Sequence, residues 1–166
     1  NREELPPLPG SAPDKAPAQE LTEVPRRLRP VLEQFARKIQ AGKRIRRDRD
    51  KLAAVIDGLS RYRYSLDFQP PGDGTDPVVH FLAEERKGHC ELFATSAVLL
   101  LRSMGLPARY VTGLICEERH PYSQYYIARA SNVHAWGEVY LADEKRWKEG
   151  ALRSSGAFCA VSGSSG

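Results

Sequence analysis

Gly88-His89-Cys90-Glu91-Leu92-Phe93-Ala94-Thr95-Ser96-Ala97-Val98-Leu99-Leu100-Leu101-Arg102-Ser103-Met104-Gly105 decides how the rest of the chain is read. The apolar positions Phe93, Ala97, Leu100 and Leu101 fall on one helical face, and Gly105 is suited to end the helix in a left-handed turn. The stretch predicts a central core helix from Cys90 to about Met104. Its first residue is a thiol. Unpaired N–H groups and the positive end of the dipole at a helix N-terminus favour thiolate over thiol, and the same groups can receive the oxygen of a tetrahedral intermediate.

Upstream, Leu28, Leu32, Phe35 and Ile39 recur at helical spacing, with Pro30 suited to a first turn and Gly42 to a stop. A second helix is expected from Asp48, as N-cap, to about Tyr62, with Leu52, Val55, Ile56 and Leu59 on one face. After the Pro70-Pro71-Gly72-Asp73-Gly74 breakers, Asp76-Pro77 starts a short helix to Lys87, closed by a left-handed Gly88. Downstream, strands are expected at Ala108–Cys116, Tyr125–Ala130 and Asn132–Leu141. Helices first and strands afterwards give an α+β fold with an antiparallel sheet packed on the Cys90 helix.

The chain has 166 residues and a net charge of +4, which is one domain's worth and a mild basic excess. Lys43-Arg44-Ile45-Arg46-Arg47 lacks the interleaved aromatics of a nucleic-acid groove and reads as a solvated connector, so no nucleic-acid partner is expected. The longest apolar run, Ala97–Leu101, is far short of the roughly 20 residues that cross a bilayer. Seven of the twelve prolines lie in the first thirty residues, so 1–25 read as a linker to something larger, and the start at Asn1 suggests a fragment or a processed piece.

Cys90, Cys116 and Cys159 are too sparse for a disulfide scaffold, and His89, Cys90, Cys116 and His134 lack metal-ligand spacing; neither metal nor cofactor is expected. A thiolate nucleophile needs a base. His134 lies on a candidate strand whose alternation puts His134, Trp136 and Glu138 on one face. From spacing alone, Cys90 reads first as an inert, buried small hydrophobe and His134 first as a structural histidine, and spacing does not decide between these and the chemical reading. His89 reads as a polar residue filling the turn, His80 and His120 as surface positions, and Trp136 as either a wall of the site or ordinary core.

Three ordered blocks add to this. Gly88-His89-Cys90-Glu91-Leu92-Phe93-Ala94, Arg102-Ser103-Met104-Gly105-Leu106-Pro107-Ala108-Arg109-Tyr110-Val111-Thr112-Gly113 and His134-Ala135-Trp136-Gly137-Glu138-Val139 together resemble the transglutaminase-like superfamily, in its bacterial members, over roughly residues 48–147. The resemblance implies a papain-like fold in which Cys90 attacks a Gln carboxamide or peptide amide to form a thioester and His134 serves as base and acid. It also implies a protein or peptide substrate, no cofactor, and an extracytoplasmic domain carried by a larger, membrane-attached bacterial protein.

Two alternatives stand beside acyl transfer: a cysteine peptidase or amidase on the same fold, and a catalytically silent binding module. The second arises from a departure. The family places an orienting Asp in a Trp-x-x-x-Asp-Pro-Thr context, but here Trp147 is followed by Lys148-Glu149-Gly150-Ala151, with Ala151 at the aligned position. Nine of the nineteen residues from Lys148 onward are Gly or Ser, so the domain is expected to span 26–147 and a non-family tail 148–166. Asp143 and Glu149 are the candidate substitutes for the missing carboxylate. In a Ser-His-Asp protease, replacing the orienting Asp lowers kcat about 10⁴-fold.

Overall fold

A computed structural model describes residues 19–72, 74–114, 121–123 and 133–150. In chain order the elements are α1 (Arg29–Gln40), α2 (Asp48–Ser60), β1 (Arg63–Tyr64), α3 (Pro77–His80), β2 (Lys87–Gly88), α4 (Cys90–Ser103), β3 (Ala108–Leu114), β4 (Val133–Leu141) and β5 (Arg146–Gly150). The expected α+β class is what the chain adopts. The strand expected at Tyr125–Ala130 lies outside the described residues, as do Cys116, His120, Ala151 and Cys159.

Helix α4 is the centre of the packing, with α1 and α2 against it on one side and β3 and β4 on the other. Its Phe93, Ala97, Leu100 and Leu101 are all buried, as the periodicity requires. They meet Leu32 of α1, Val55 and Leu59 of α2, Val139 and Leu141 of β4, and Phe81 and Leu82 in one cluster. Gly105 ends α4 at φ +79 and Gly42 follows α1 at φ +75, the left-handed positions where a Cβ is disfavoured. Within the expected linker, Gln19–Thr22 form a 3₁₀ turn and Val24 joins the core.

Strands β3, β4 and β5 form an antiparallel sheet in that order, with Ala108 opposite Val139, Gly113 opposite His134, and Gly137 opposite Gly150. Along β4, Ala135, Gly137 and Val139 are buried, while His134, Trp136 and Glu138 are half-buried on the other face. Gly137 is a close approach: a Cβ there would stand 3.1 Å from Val98 Cγ2 on α4.

Three local expectations change. The helix begun by Pro77 runs on as one π-helical turn, Phe81–Glu85, and stops there rather than at Lys87. Arg86, at φ 50, takes the left-handed position expected of Gly88, and its N–H closes the wide turn onto Phe81 O at 3.1 Å. Gly88 instead sits in β2, where a Cβ would come within 2.8 Å of Leu92 and 3.1 Å of Phe81, so glycine is there for space. At α2 the N-cap is Arg47, not Asp48; the capping carboxylate is Asp50, whose Oδ2 accepts from the N–H groups of Arg46 and Arg47, both at 2.9 Å. The Asp76 cap is as expected, its Oδ1 accepting from Val78 N–H at 3.0 Å.

Candidate active site

Cys90 is the first residue of α4, preceded by His89 in extended conformation at φ −97, ψ 176. Its thiol is free and half-buried. The approach to it is fixed from behind by a parallel pair that periodicity does not reveal: β1 lies beside β2 with Tyr64 opposite Gly88. Ser65 N–H donates to Gly88 O at 2.8 Å and Arg63 N–H to Arg86 O at 2.9 Å. Leu92 and Phe81 leave no room for a Cβ at Gly88, and Phe93 N–H closes the first turn of α4 onto His89 O at 3.2 Å.

Two tyrosines missed by sequence reasoning stand at this end of α4. The Tyr64 ring stacks on Phe93, one helical turn past Cys90, with centroids 6.4 Å apart and planes 22° apart. Burial first, then the neighbouring Cys90 charge, hold its phenol above the usual range. Tyr110, on β3, is partly exposed, and burial followed by the charges of Glu91 and Cys90 pushes it up as well. Tyr64 carries no spacing signal because its strand is only two residues long.

His134 is the second residue of β4, half-buried, with Nε2 shielded from solvent. Three contacts orient α4 relative to its strand. Arg102, near the C-terminal end of α4, donates to Ala108 O, and Ala108 pairs with Val139. Ala94 and Val98 lie over Gly137, and the charges of Cys90 and Glu91 reach Tyr110, which pairs with Gly137. Helix and strand therefore run in the same sense, so the Cys90 end of α4 lies toward the His134 end of β4.

The rest of the His134 face is a polar and aromatic network. Trp136 covers Gly113, where a Cβ would stand 2.8 Å from the indole, and its Nε1–H donates to Glu138 Oε1 at 3.4 Å. Glu138 Oε2 accepts from Arg109 Nε and Nη2, both at 2.6 Å, and the Arg109 guanidinium stacks 4.1 Å over Trp147. Strand geometry separates both substitute carboxylates from the histidine. Glu149 pairs with Glu138, four residues from His134, or about 13 Å along the strand. Asp143 is in the turn beyond Leu141, at the far end of β4, more than about 20 Å away by the same rise. Neither is in register to hold the imidazole.

The other histidines gather elsewhere. His80 is half-buried, not a surface residue: Nδ1 lies 2.9 Å from Glu84 Oε2, and the ring meets the edge of Phe68 at 6.0 Å. His89 meets the same Phe68 at 6.1 Å, with Nδ1 3.8 Å from Glu91. Phe68 thus props the turn that leads into Cys90.

The chain is similar to known proteins in sequence and in fold. A model of the family described as the transglutaminase-like superfamily matches residues 33–149, more than half of the chain. A protein-glutamine gamma-glutamyltransferase of Pseudomonas aeruginosa is 32% identical over 96 residues, covering 58% of this chain. The uncharacterized protein YebA of Bacillus subtilis is 33% identical over 102 residues, covering 57% of it. The chain spans 14% of the length of each of these curated relatives. Among solved structures, the periplasmic domain of TgpA from Pseudomonas aeruginosa bound to ethylmercury superposes with a TM-score of 0.64 at 27% identity, covering 78% of this chain and 45% of that one. With the family matched across α2, α4 and all of β3 and β4, the chain belongs to the transglutaminase-like superfamily.

Proposed function

We propose that this domain is a thiol acyltransferase or hydrolase acting on a Gln carboxamide or peptide amide, with Cys90 as nucleophile and His134 as its base. The observation that carries the reading is a free thiol at the first position of the buried central helix, at the end that lies toward a strand-borne histidine. The Cys90 sulfur attacks the carbonyl carbon, the π pair moves to oxygen, and the imidazolium of His134 returns its proton to the departing amine as the thioester forms. Attack by a second amine then gives a crosslink, and attack by water gives deamidation or hydrolysis. The gamma-glutamyltransferase relative favours a glutaminyl donor. The TgpA relative binds an organomercurial, a thiol-seeking reagent, and it is a periplasmic domain, which supports an extracytoplasmic placement on a larger protein. Among the described residues no helix is long and apolar enough to cross a membrane.

The test is iodoacetamide labelling at pH 6, read by peptide mass spectrometry on wild type, Cys90→Ala and His134→Ala. Cys90 is expected to alkylate at least tenfold faster than Cys116 and Cys159 under denaturing conditions at the same pH, and His134→Ala to lose that advantage. Labelling of Cys90 no faster than the other two thiols overturns the reading and leaves a binding module in its place. With labelling established, incorporation of a primary amine into a glutaminyl peptide separates transfer from hydrolysis, and cleavage of the peptide backbone marks a peptidase.

A further inference from the structure

The basic connector between α1 and α2 belongs to a larger charged face. Residues 26–63 hold 13 Lys and Arg against 4 Asp and Glu, whereas the rest of the chain holds 12 against 17. All of those thirteen cations except Lys51 are exposed. Because α1 and α2 cover the side of α4 away from β3 and β4, this positive layer lies across the core from the sheet. We infer that the layer docks on an anionic phospholipid surface, with one phosphate headgroup seated in a cleft between the C-terminal halves of α1 and α2. The inference goes beyond the proposed chemistry and does not depend on Cys90.

The cleft measures about 260 Å³. Its floor is apolar: Phe35 and Ile39 lie one turn apart on α1, and α2 closes against them at Gly58, where a Cβ would stand 2.7 Å from Ile39 Cγ2. Lys38, Lys43, Arg61 and Arg86 line it, and Asp57 is the one acid among the lining residues, so four cations against one carboxylate leave a surplus of three positive charges. That carboxylate is already shared, because Asp57 Oδ2 accepts from Lys43 Nζ at 2.6 Å and from Arg61 Nη2 at 3.3 Å. Lys38 and Arg86 have no ion-pair partner among the described residues. The Arg86 backbone is held at its left-handed φ of 50 from both sides: its N–H bonds Phe81 O at 3.1 Å, and its O accepts from Arg63 N–H at 2.9 Å.

Three features select the ligand. A phosphate offers paired oxygens to a guanidinium and charge to an ammonium, which Arg86 and Lys38 supply. The apolar floor suits the carbon chain beside a headgroup phosphate and gives nothing to a bare inorganic anion. Exposed cations continue along the chain beside Lys38 and Lys43, at Arg37, Arg44, Arg46 and Arg47, which suits an extended anionic sheet rather than one small anion. A nucleic acid fits less well. The aromatic rings of residues 26–63, Phe35 and Tyr62, are both half-buried, so neither is presented for a base to stack on.

The test is co-sedimentation of the full 166-residue chain with vesicles of phosphatidylcholine, alone or with about one-third phosphatidylglycerol, in about 0.1 M salt. Binding is expected to the anionic vesicles only. Lys38→Gln/Arg86→Gln is expected to weaken it about thirtyfold, the usual worth of two cations at an anionic bilayer. Arg26→Gln/Arg29→Gln removes the same charge at the other end of α1 and is expected to weaken it less than about threefold. Arg86→Lys keeps the charge on the same backbone and is expected to bind nearly as wild type, so that loss in the Gln variant is not a loss of folding. Cys90→Ala is expected to bind as wild type does, which keeps this result separate from the fate of the thiol reading. Absence of binding to anionic vesicles overturns the inference, and so does equal weakening in the two double variants, which reports adsorption by net charge without a seated headgroup. Tighter binding to a short duplex DNA than to the vesicles assigns the face to nucleic acid and overturns it as well. Binding of free glycerol phosphate without binding of vesicles leaves a site for a soluble anion and overturns the lipid assignment.

Discussion

The two faces of β4 divide the labour of this domain. Ala135, Gly137 and Val139 turn toward α4 and are buried, and their small side chains let the helix lie close. On the opposite face, one residue out of phase, His134, Trp136 and Glu138 are half-buried among ring and charge contacts. Strand alternation alone delivers both sets. The inner face tolerates little change in volume, whereas the outer face depends on which atoms donate and accept. The same nine residues therefore fail in two different ways when altered.

The largest effect belongs to the outer face. His134→Ala is expected to lower the acylation rate of Cys90 about 10⁴-fold or more, as loss of the base does in a Ser-His-Asp enzyme, while the protein stays folded by circular dichroism. Collapse of the fold in this variant would break the division between the faces. Next is the inner face: Gly137→Leu drives a side chain into Val98, and overpacking of this kind costs about 1–3 kcal/mol, measured by urea unfolding. An unchanged midpoint would mean that α4 does not lie on β4 as described. Smaller again is Glu138→Gln, which weakens the Arg109 pair but leaves the Arg109–Trp147 stack; about 1 kcal/mol of stability is expected to go, with less loss in high salt.

The smallest concerns the turn that links β4 to β5, which belongs to neither face. A hydrogen bond from Arg146, helped by Lys148 and Arg49, holds Glu144 below its usual 4.5. A carboxylate lowered in the folded state adds stability above its unfolded value and loses it as pH falls through the folded one. Glu144→Gln is therefore expected to lower the melting temperature slightly at pH 7, and the gap from wild type to close as pH falls below about 4.5, so that the variant's acid limb is flatter. A steeper acid limb in the variant would reverse the sign of that contact.

Long elements were legible from sequence because they repeat. Helices α1, α2 and α4 each carry three or more apolar residues at helical spacing, and β4 alternates over nine residues. Pieces too short to repeat were not: β1 and β2 have two residues each, and β5 holds Lys148 and Glu149 where composition suggested the tail had begun. The left-handed residue before β2 was misplaced by two positions because an arginine adopts it while the nearby glycine serves a packing need. At the candidate site, Cys90 and His134 could be named from chemistry and resemblance. Tyr64 could not, since what brings it to Cys90 is a pairing across more than twenty residues of chain, and no local pattern encodes that.

That long closure also governs the order of assembly. Joining Tyr64 to Gly88 closes a loop of about 23 residues, an entropy cost near 3 kcal/mol, against two ladder hydrogen bonds and a pair of ring contacts. The central helix, by contrast, forms within one contiguous segment and is buried on both sides. The β1–β2 clasp is therefore among the last parts to form and the first to open, and amide exchange at Ser65 and Arg63 should run far ahead of exchange in the middle of α4. If exchange there does run ahead, the hold on the backbone before Cys90 is set by this short clasp rather than by the core around α4.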